Sequence, residues 1–290
     1  MGKKKQGKAE KSHRLFFIKA MLAKGLHISR KAADTALRSL LMLVTLVTVS
    51  IMAPKVHGLL VRKYVGSKVV MLTNVNPSKL QRGQGFGGGT GYHIKAPSGK
   101  TYIMTNRHVC EMMPENEIFV NSPSGAVYAK KIIERDTNTD LCLVEGLDGV
   151  SGLDLSSGRL SYGQTVAAIG HPELLPVTMT MGEVIGPESV NIGLGIIGRD
   201  LTQEACLKYN NRNIQTYGLG QGGLLLGMVE VCTEHVNAIV TTVPIYHGSS
   251  GSPVVNFWGK VVGTMFAIGE EGFWGRFVTA TSIKDLLKGR

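Results

Sequence analysis

From Ser67 to the end of the chain, apolar residues come in short runs cut by Gly, Asn, Asp and Pro. Twelve such runs recur: KVVMLTN, GYHIK, TYIMTN, EIFVN, AVYAKKII, LCLVEG, TVAAIG, VTMTMGEVIG, NAIVTTV, PVVNF, KVVGTMFAI and RFVTAT. β-Branched and aromatic residues suit a pleated, buried backbone, and frequent turns between short strands predict an all-β barrel or sandwich. Only SIKDLLKGR, from Ser282 on, carries a helical pattern, with Ser282 as the expected N-cap. The stretch 150–163 lacks periodicity and is expected to connect two barrels, a first of about 67–150 and a second of about 160–281, with a helix over 282–288. Between Ile185 and Val236 the chain is rich in Gly around the run LLLGMV. A loop of this length is functional or disordered more often than bland, and a lid or assembly loop beside a cleft is expected there.

The N-terminal part reads differently. Residues 1–14 are polar and basic, and 15–38 mix Leu, Phe and Ile with Lys and Arg as basic amphipathic helix. Then LLMLVTLVTVSIMAP runs without charge between Arg38 and Lys55. As a helix, residues 39–54 would be about 24 Å long against a hydrocarbon core of about 30 Å. The first expectation is a single-pass membrane anchor, with the basic N-terminus cytoplasmic and the body on the opposite face. A cleaved signal or transit peptide and a helix packed on the body or a partner are the other readings. Residues 55–66 are expected to be a linker. The start MGKKKQ lacks the Ser or Thr of a myristoylation signal.

Composition refines this. Apolar residues are 43% of the 290, enough for a core, and 37 Gly suit a turn-rich β protein. The net charge of +11 belongs to the leader: residues 1–38 hold 11 Lys/Arg against Glu10 and Asp34, and the remaining 21 Lys/Arg meet 19 acidic residues. A body gripping nucleic acid would carry that charge on its folded surface, so nucleic acid is not an expected partner of the body. Cys110, Cys142, Cys206 and Cys232 form no CxxC pair. Neither a disulfide framework nor a zinc site is therefore expected, and buried free thiols are. Cys232 with His235 is half a metal site without its other half. No cofactor is expected, and homo-oligomerisation is left open.

Three residues stand out by their surroundings. His108 follows the strand TYIMTN, Asp140 opens LCLV after a polar stretch, and Ser250 lies in the small-residue turn HGSSGSP. A Ser hydroxyl is a weak nucleophile until an imidazole takes its proton, and a buried carboxylate fixes that imidazole's tautomer. The backbone N–H groups around Gly248, Ser249 and Ser250 would hold the negative oxygen of a tetrahedral intermediate. The chain order His, Asp, Ser is that of chymotrypsin-type enzymes. The first two residues would sit in the first barrel and the third in the second, with the site in the cleft between.

The motifs also resemble a family. TNRHV is similar to the catalytic-histidine motif of HtrA/Deg serine proteases, DTNTDLCLVEG to their aspartate segment, and YGQTVAAIGHP with TMTMGEVIG to their G-x-x-V-x-AIGNP region. GSSGSPVVNFWGKVVGTM resembles GNSGGPL-x-N-x-x-G-x-VIGI-N, and FVTATSIKDLL the last strand and helix. The resemblance is collinear over about 67–288. It implies a chymotrypsin-like fold of two six-stranded antiparallel barrels with a C-terminal helix, and a serine endopeptidase using His108, Asp140 and Ser250. Ser252 stands where the family has a second Gly. His171 replaces the Asn of AIGNP, for which a turn-structural role is expected. No PDZ domain is expected after the final helix, and stand-alone viral and phage proteases of this fold share the G-x-S-G-x-P turn. A silent two-barrel binding module, or a virion protease with a nucleic-acid-binding leader, are the alternatives. The specificity pocket is expected from Pro244, Ile245, Tyr246 and His247, with Thr264, Met265, Phe266 and Ala267 as the facing strand. None of these is acidic, which predicts cleavage after small or medium apolar residues and not after Lys or Arg.

Overall fold

A computed structural model describes residues 30–79, 87–113, 116–136, 138–197, 202–208, 212–221, 224–266 and 274–290. It divides into one unit of residues 1–58 and a second, Leu59–Arg290, that holds both barrels.

The first barrel is closed by six antiparallel strands in the order β1-β2-β3-β6-β5-β4. These are β1 (Val69–Thr73), β2 (Gly88–Lys95), β3 (Thr101–Thr105), β4 (Glu117–Asn121), β5 (Val127–Arg135) and β6 (Cys142–Glu145). The second barrel comprises β7 (Thr165–Gly170), β8 (Thr178–Ile196), β10 (Leu224–Thr241), β11 (Pro253–Val255), β12 (Val261–Phe266) and β13 (Gly275–Thr279). It closes where Ile239–Thr241 of β10 pair with Gly275–Phe277 of β13, and β9 (Arg212–Gln221) adds a seventh strand on the outer part of β10.

The period-2 pattern of side chains explains why so many strands read as unbroken apolar runs. In β3, Ile103 points into the first barrel with Val70, Leu72 and Val144, while its neighbour Met104 points outward. In β7, Val166 and Ala168 fill the second barrel with Val254 and Phe277, while Ile169 points outward. The outward sets meet in one cluster that joins Tyr92, Met104 and Leu143 of the first barrel to Ile169, Phe266 and Val278 of the second. Both faces of these strands are therefore buried. The buried Tyr92 hydroxyl, 2.9 Å from Thr264 Oγ1, closes this seam with a hydrogen bond.

Several expectations are corrected. Residues 39–54 and the supposed linker 55–66 form a single helix, α1 (Arg30–Gly66), whose end packs Val65 into the central cluster. Arg38, Lys55, Arg62 and Lys63 punctuate it, and among the described residues no helix is long and apolar enough to cross a membrane. The expected membrane anchor is not supported. The segment 186–235 is not a loop in its described parts: β8 and β10 continue beyond the barrel as a ribbon flanked by β9, with a short helix α3 (Gln203–Leu207) between. The final helix α4 (Ala280–Leu286) starts before Ser282, with Thr279 in the N-cap position.

The four cysteines are paired, Cys110 with Cys142 and Cys206 with Cys232, which overturns the free-thiol reading. The partners lie 32 and 26 positions apart on different elements, so their spacing carried no trace of the pairing. Cys232 of the half metal site is bonded to Cys206, and among the described residues no group of three or more His, Cys, Asp or Glu could hold a metal.

Candidate active site

Strand β3 ends at Thr105, Asn106 stays extended, and the chain turns into the five-residue helix α2 (Arg107–Glu111). That turn presents His108 to Asp140, which lies just before β6. Asp140 is fully buried, and both of its oxygens serve His108: Oδ1 accepts the backbone N–H at 3.0 Å and Oδ2 accepts from Nδ1 at 2.7 Å. A carboxylate can only accept, so Nδ1 carries the hydrogen and Nε2 is left as the basic nitrogen. Burial pulls the imidazole pKa down, but the charge and hydrogen bond of Asp140 outweigh it, aided by Glu111 and opposed by Arg107, so it lies above the ordinary histidine value. The ring keeps an outlet, its side chain being 25% exposed.

Each partner is held from behind. Asn106 Nδ2 donates to the Asp140 carbonyl at 2.9 Å, and the buried Arg107 donates to the Asp136 carbonyl at the start of the same loop. The disulfide Cys110–Cys142 joins the residue two past His108 to the residue two past Asp140. This covalent staple ties together the two segments whose alignment the pair requires.

Ser250 lies in the turn 244–252 that leads into β11, and it is 6% exposed. Gly248 and Gly251, on either side of it, have φ of +81° and +87°, a backbone region that other residues enter only with strain. The turn's carbonyls and amides are largely committed. Ser249 N–H donates to Tyr246 O, Gly251 N–H to Met265 O and Ser252 N–H to Ser249 O. Of the three expected oxyanion donors, Ser249 therefore spends its N–H inside the turn.

The two halves converge at β2. A Cβ placed on Gly89 would meet Val109 Cγ2 at 2.9 Å and Ser250 O at 3.0 Å, so the histidine turn and the serine turn close on one glycine. The next residue, Thr90, went unnoticed in the sequence, yet all of its polar atoms are engaged here. Its N–H donates to Ser250 O at 2.7 Å and its Oγ1 donates to Gly248 O at 2.8 Å. The same Oγ1 accepts the His171 N–H at 2.9 Å, and the Thr90 carbonyl accepts from Thr105 Oγ1 at 2.7 Å. The sequence sign was the run GGGTG entering a strand, since glycine inside a strand marks close backbone approach.

His171 is a turn residue as expected, its Nδ1 donating to Leu175 O at 2.8 Å, with burial pushing its pKa down. Glu173 and Leu174 beside it adopt positive φ, and their backbone lies against Gly248, where a Cβ would meet His171 O at 2.5 Å. Ser252, where the family carries Gly, is accommodated by Gly170, whose missing Cβ leaves room for the Ser252 hydroxyl.

The expected specificity residues divide. Pro244, Ile245 and Tyr246 line a cavity of about 10 Å³ that reaches Ser249 and Ser252, and Tyr246 and His247 are exposed. Thr264, Met265 and Phe266 are completely buried, committed to the seam and to the barrel interior, and do not wall an open pocket. Ala267 lies outside the described residues.

Two closed antiparallel barrels with a buried Asp–His pair on one and a Gly-flanked serine turn on the other define a serine-protease fold. A model of the trypsin-like peptidase domain matches residues 89–263, and the chain belongs to that family. Its relatives include HtrA-type proteases. The chain is 30% identical over 214 residues to the serine protease Do-like HtrB of Bacillus subtilis, covering 66% of this chain and 38% of the relative. It is 30% identical over 178 residues to a probable periplasmic serine endoprotease DegP-like of Pseudomonas fluorescens, covering 60% of this chain and 28% of the relative. It thus spans about a third of the length of these relatives. Among solved structures, the active form of the Rv3671c protease from M. tuberculosis superposes with a TM-score of 0.52 at 17% identity, over 78% of this chain and 82% of that one. The HtrA-type protease AlgW with tripeptide superposes with a TM-score of 0.52 at 19% identity, over 79% and 62%.

Proposed function

We propose that the chain is a serine endopeptidase in which Ser250 is the nucleophile, His108 the general base and Asp140 its orienter. The observation that carries this reading is the buried Asp140 bound at both oxygens to His108, which fixes Nε2 as the proton acceptor. In the acylation step the Ser250 hydroxyl proton passes to His108 Nε2 as Oγ bonds to the scissile carbonyl carbon. In this reading the Gly248 and Ser250 N–H groups stabilise the resulting oxyanion. The C–N bond then breaks, the amine leaves with the proton from His108, and water resolves the acyl ester by the same route reversed. The paired cysteines favour an oxidising compartment for the barrels.

The cleft offers a substrate side chain no carboxylate from Pro244, Ile245, Tyr246 or His247. A buried Lys or Arg would gain no counter-charge from these four residues, and burying a cation unpaired costs several kcal/mol by rough estimate. Cleavage is therefore expected after Val, Ala, Leu or Met. Profiling a peptide library decides this: dominant cleavage after Lys/Arg or after Gln/Glu would contradict the assigned pocket.

Thr90→Val keeps the side-chain shape but strips Gly248 O and His171 N–H of a buried partner, at roughly 1–3 kcal/mol. Because these bonds aim the serine turn, kcat is expected to fall about 10- to 100-fold with KM nearly unchanged, and Thr90→Ser to restore most of it. A change confined to KM, or a Ser variant as poor as Val, would argue against that positioning.

A further inference from the structure

The ribbon 178–241 reaches back to the histidine turn through one residue. Arg212, the first residue of β9, is 4% exposed, and its Nη2 lies 2.5 Å from Glu111 Oε1. Glu111 is the last residue of α2, three positions after His108. Arg107 Nε approaches the same oxygen at 3.8 Å. The base of β9 is itself anchored on β10: the Asn213 carbonyl accepts from Thr233 Oγ1 at 3.2 Å, and the neighbouring Cys232 of β10 is joined to Cys206 of α3. A strand paired along β10, which carries the disulfide, thus delivers a nearly buried cation to Glu111 on the helix that holds His108. Burying an arginine is costly unless its partner is well placed, and a bland surface excursion has no need of it.

We propose that the ribbon is a clamp on the catalytic turn, and that Arg212 is a positioning residue which seats α2 and screens His108 from the charge of Glu111. The inference rests on the serine endopeptidase reading, and it gives the 186–235 segment a role in the chemistry. The charged groups around His108 set its direction. Asp140 faces the ring from the loop before β6, and Arg107 and Glu111 lie on its own helix. Arg135 of β5 donates to Cys110 O at 3.2 Å, Asp136 receives Arg107 through its carbonyl, and Arg212 comes from β9. Glu111 favours the imidazolium and Arg107 opposes it, and Arg212, bonded to the same Glu111 oxygen, is assigned the same opposing sense. Losing Arg212 leaves Glu111 less compensated, so the imidazolium is favoured. Losing Glu111 does the opposite.

The test titrates the His108 imidazole by NMR in the full chain and follows kcat/KM against pH, in wild type, Arg212→Gln, Arg212→Lys, Glu111→Gln and the double variant. Arg212→Gln is expected to raise the His108 midpoint and move the acid limb to higher pH, with kcat reduced several-fold and KM little changed. Arg212→Lys should stay near wild type in midpoint. Glu111→Gln should lower the midpoint, and the double variant should follow Glu111→Gln. An unmoved midpoint in Arg212→Gln, or an upward shift that persists without Glu111, overturns the clamp. If Arg212→Gln does not fold, an unmoved midpoint in Glu111→Gln overturns it equally. A wild type that hydrolyses nothing refutes the peptidase reading while the titration still reports on the clamp; an active wild type with unmoved midpoints refutes only the clamp.

Discussion

Ser250→Ala is expected to abolish peptide hydrolysis, with kcat lowered by about 10⁶, and His108→Ala to match it because nucleophile and base act as a unit. Asp140→Asn is expected to keep the fold and lose roughly 10⁴, since an amide can donate to Nδ1 and so favour the tautomer with the proton on the wrong nitrogen. The pH profile follows from the same pair. His108 must be neutral to accept the serine proton, and the Asp140 carboxylate holds its pKa above the ordinary histidine value. Activity should therefore be present above that raised value and fall as pH drops through it. Steady-state kinetics between weakly acidic and weakly alkaline pH measure all of this. Wild-type turnover in Ser250→Ala, or an acid limb below the ordinary histidine range, would contradict the assignment.

The second large effect lies one residue on. Gly251→Ala is expected to destabilise the protein by about 3–5 kcal/mol and to remove activity with it. Gly251 has φ of +87°, and a Cβ there would overlap the carbonyl of Thr90 and the hydroxyl of Thr105. These two groups bond to each other in the buried junction, so neither can yield without exposing an unsatisfied partner. Gly99→Ala is the control. Its φ of +88° is the same, but a Cβ there meets nothing within 4 Å, and the cost should be only the backbone term of about 1–2 kcal/mol. Denaturant unfolding of both variants separates strain from overlap. Equal losses at the two positions would show that the Thr90 junction has no special rigidity.

Much of this was legible from residue types. The β-branched runs and their turns gave an all-β body, and the order of His108, Asp140 and Ser250 with their flanking motifs singled out the residues that the barrels carry. What escaped depends on three-dimensional partners. Cys110 and Cys142 meet only because α2 folds over the end of β6, and Cys206 meets Cys232 only through the β9–β10 hairpin. Thr264, Met265 and Phe266 read as a pocket wall because an apolar strand that faces a cleft and one buried on both sides look alike in sequence. The glycine content of 186–235 suggested a loop, yet β8, β9 and β10 pair over long registers there, since cross-strand partners override weak local preference. Residues 55–66 resemble a linker in sequence because their mixed polarity hides a helix in which Val65 and Gly66 are buried and His57, Gly58 and Val61 half-buried. Thr90 had no chemistry of its own to announce it; its importance lies in what converges on it.

Reaction of the full chain with a fluorophosphonate probe, with the adduct located by mass spectrometry, tests directly whether Ser250 is an activated nucleophile. One adduct is expected, on the peptide that carries Ser250, absent from Ser250→Ala and strongly diminished in His108→Ala. No adduct on correctly folded protein, or labelling that survives Ser250→Ala, would contradict it.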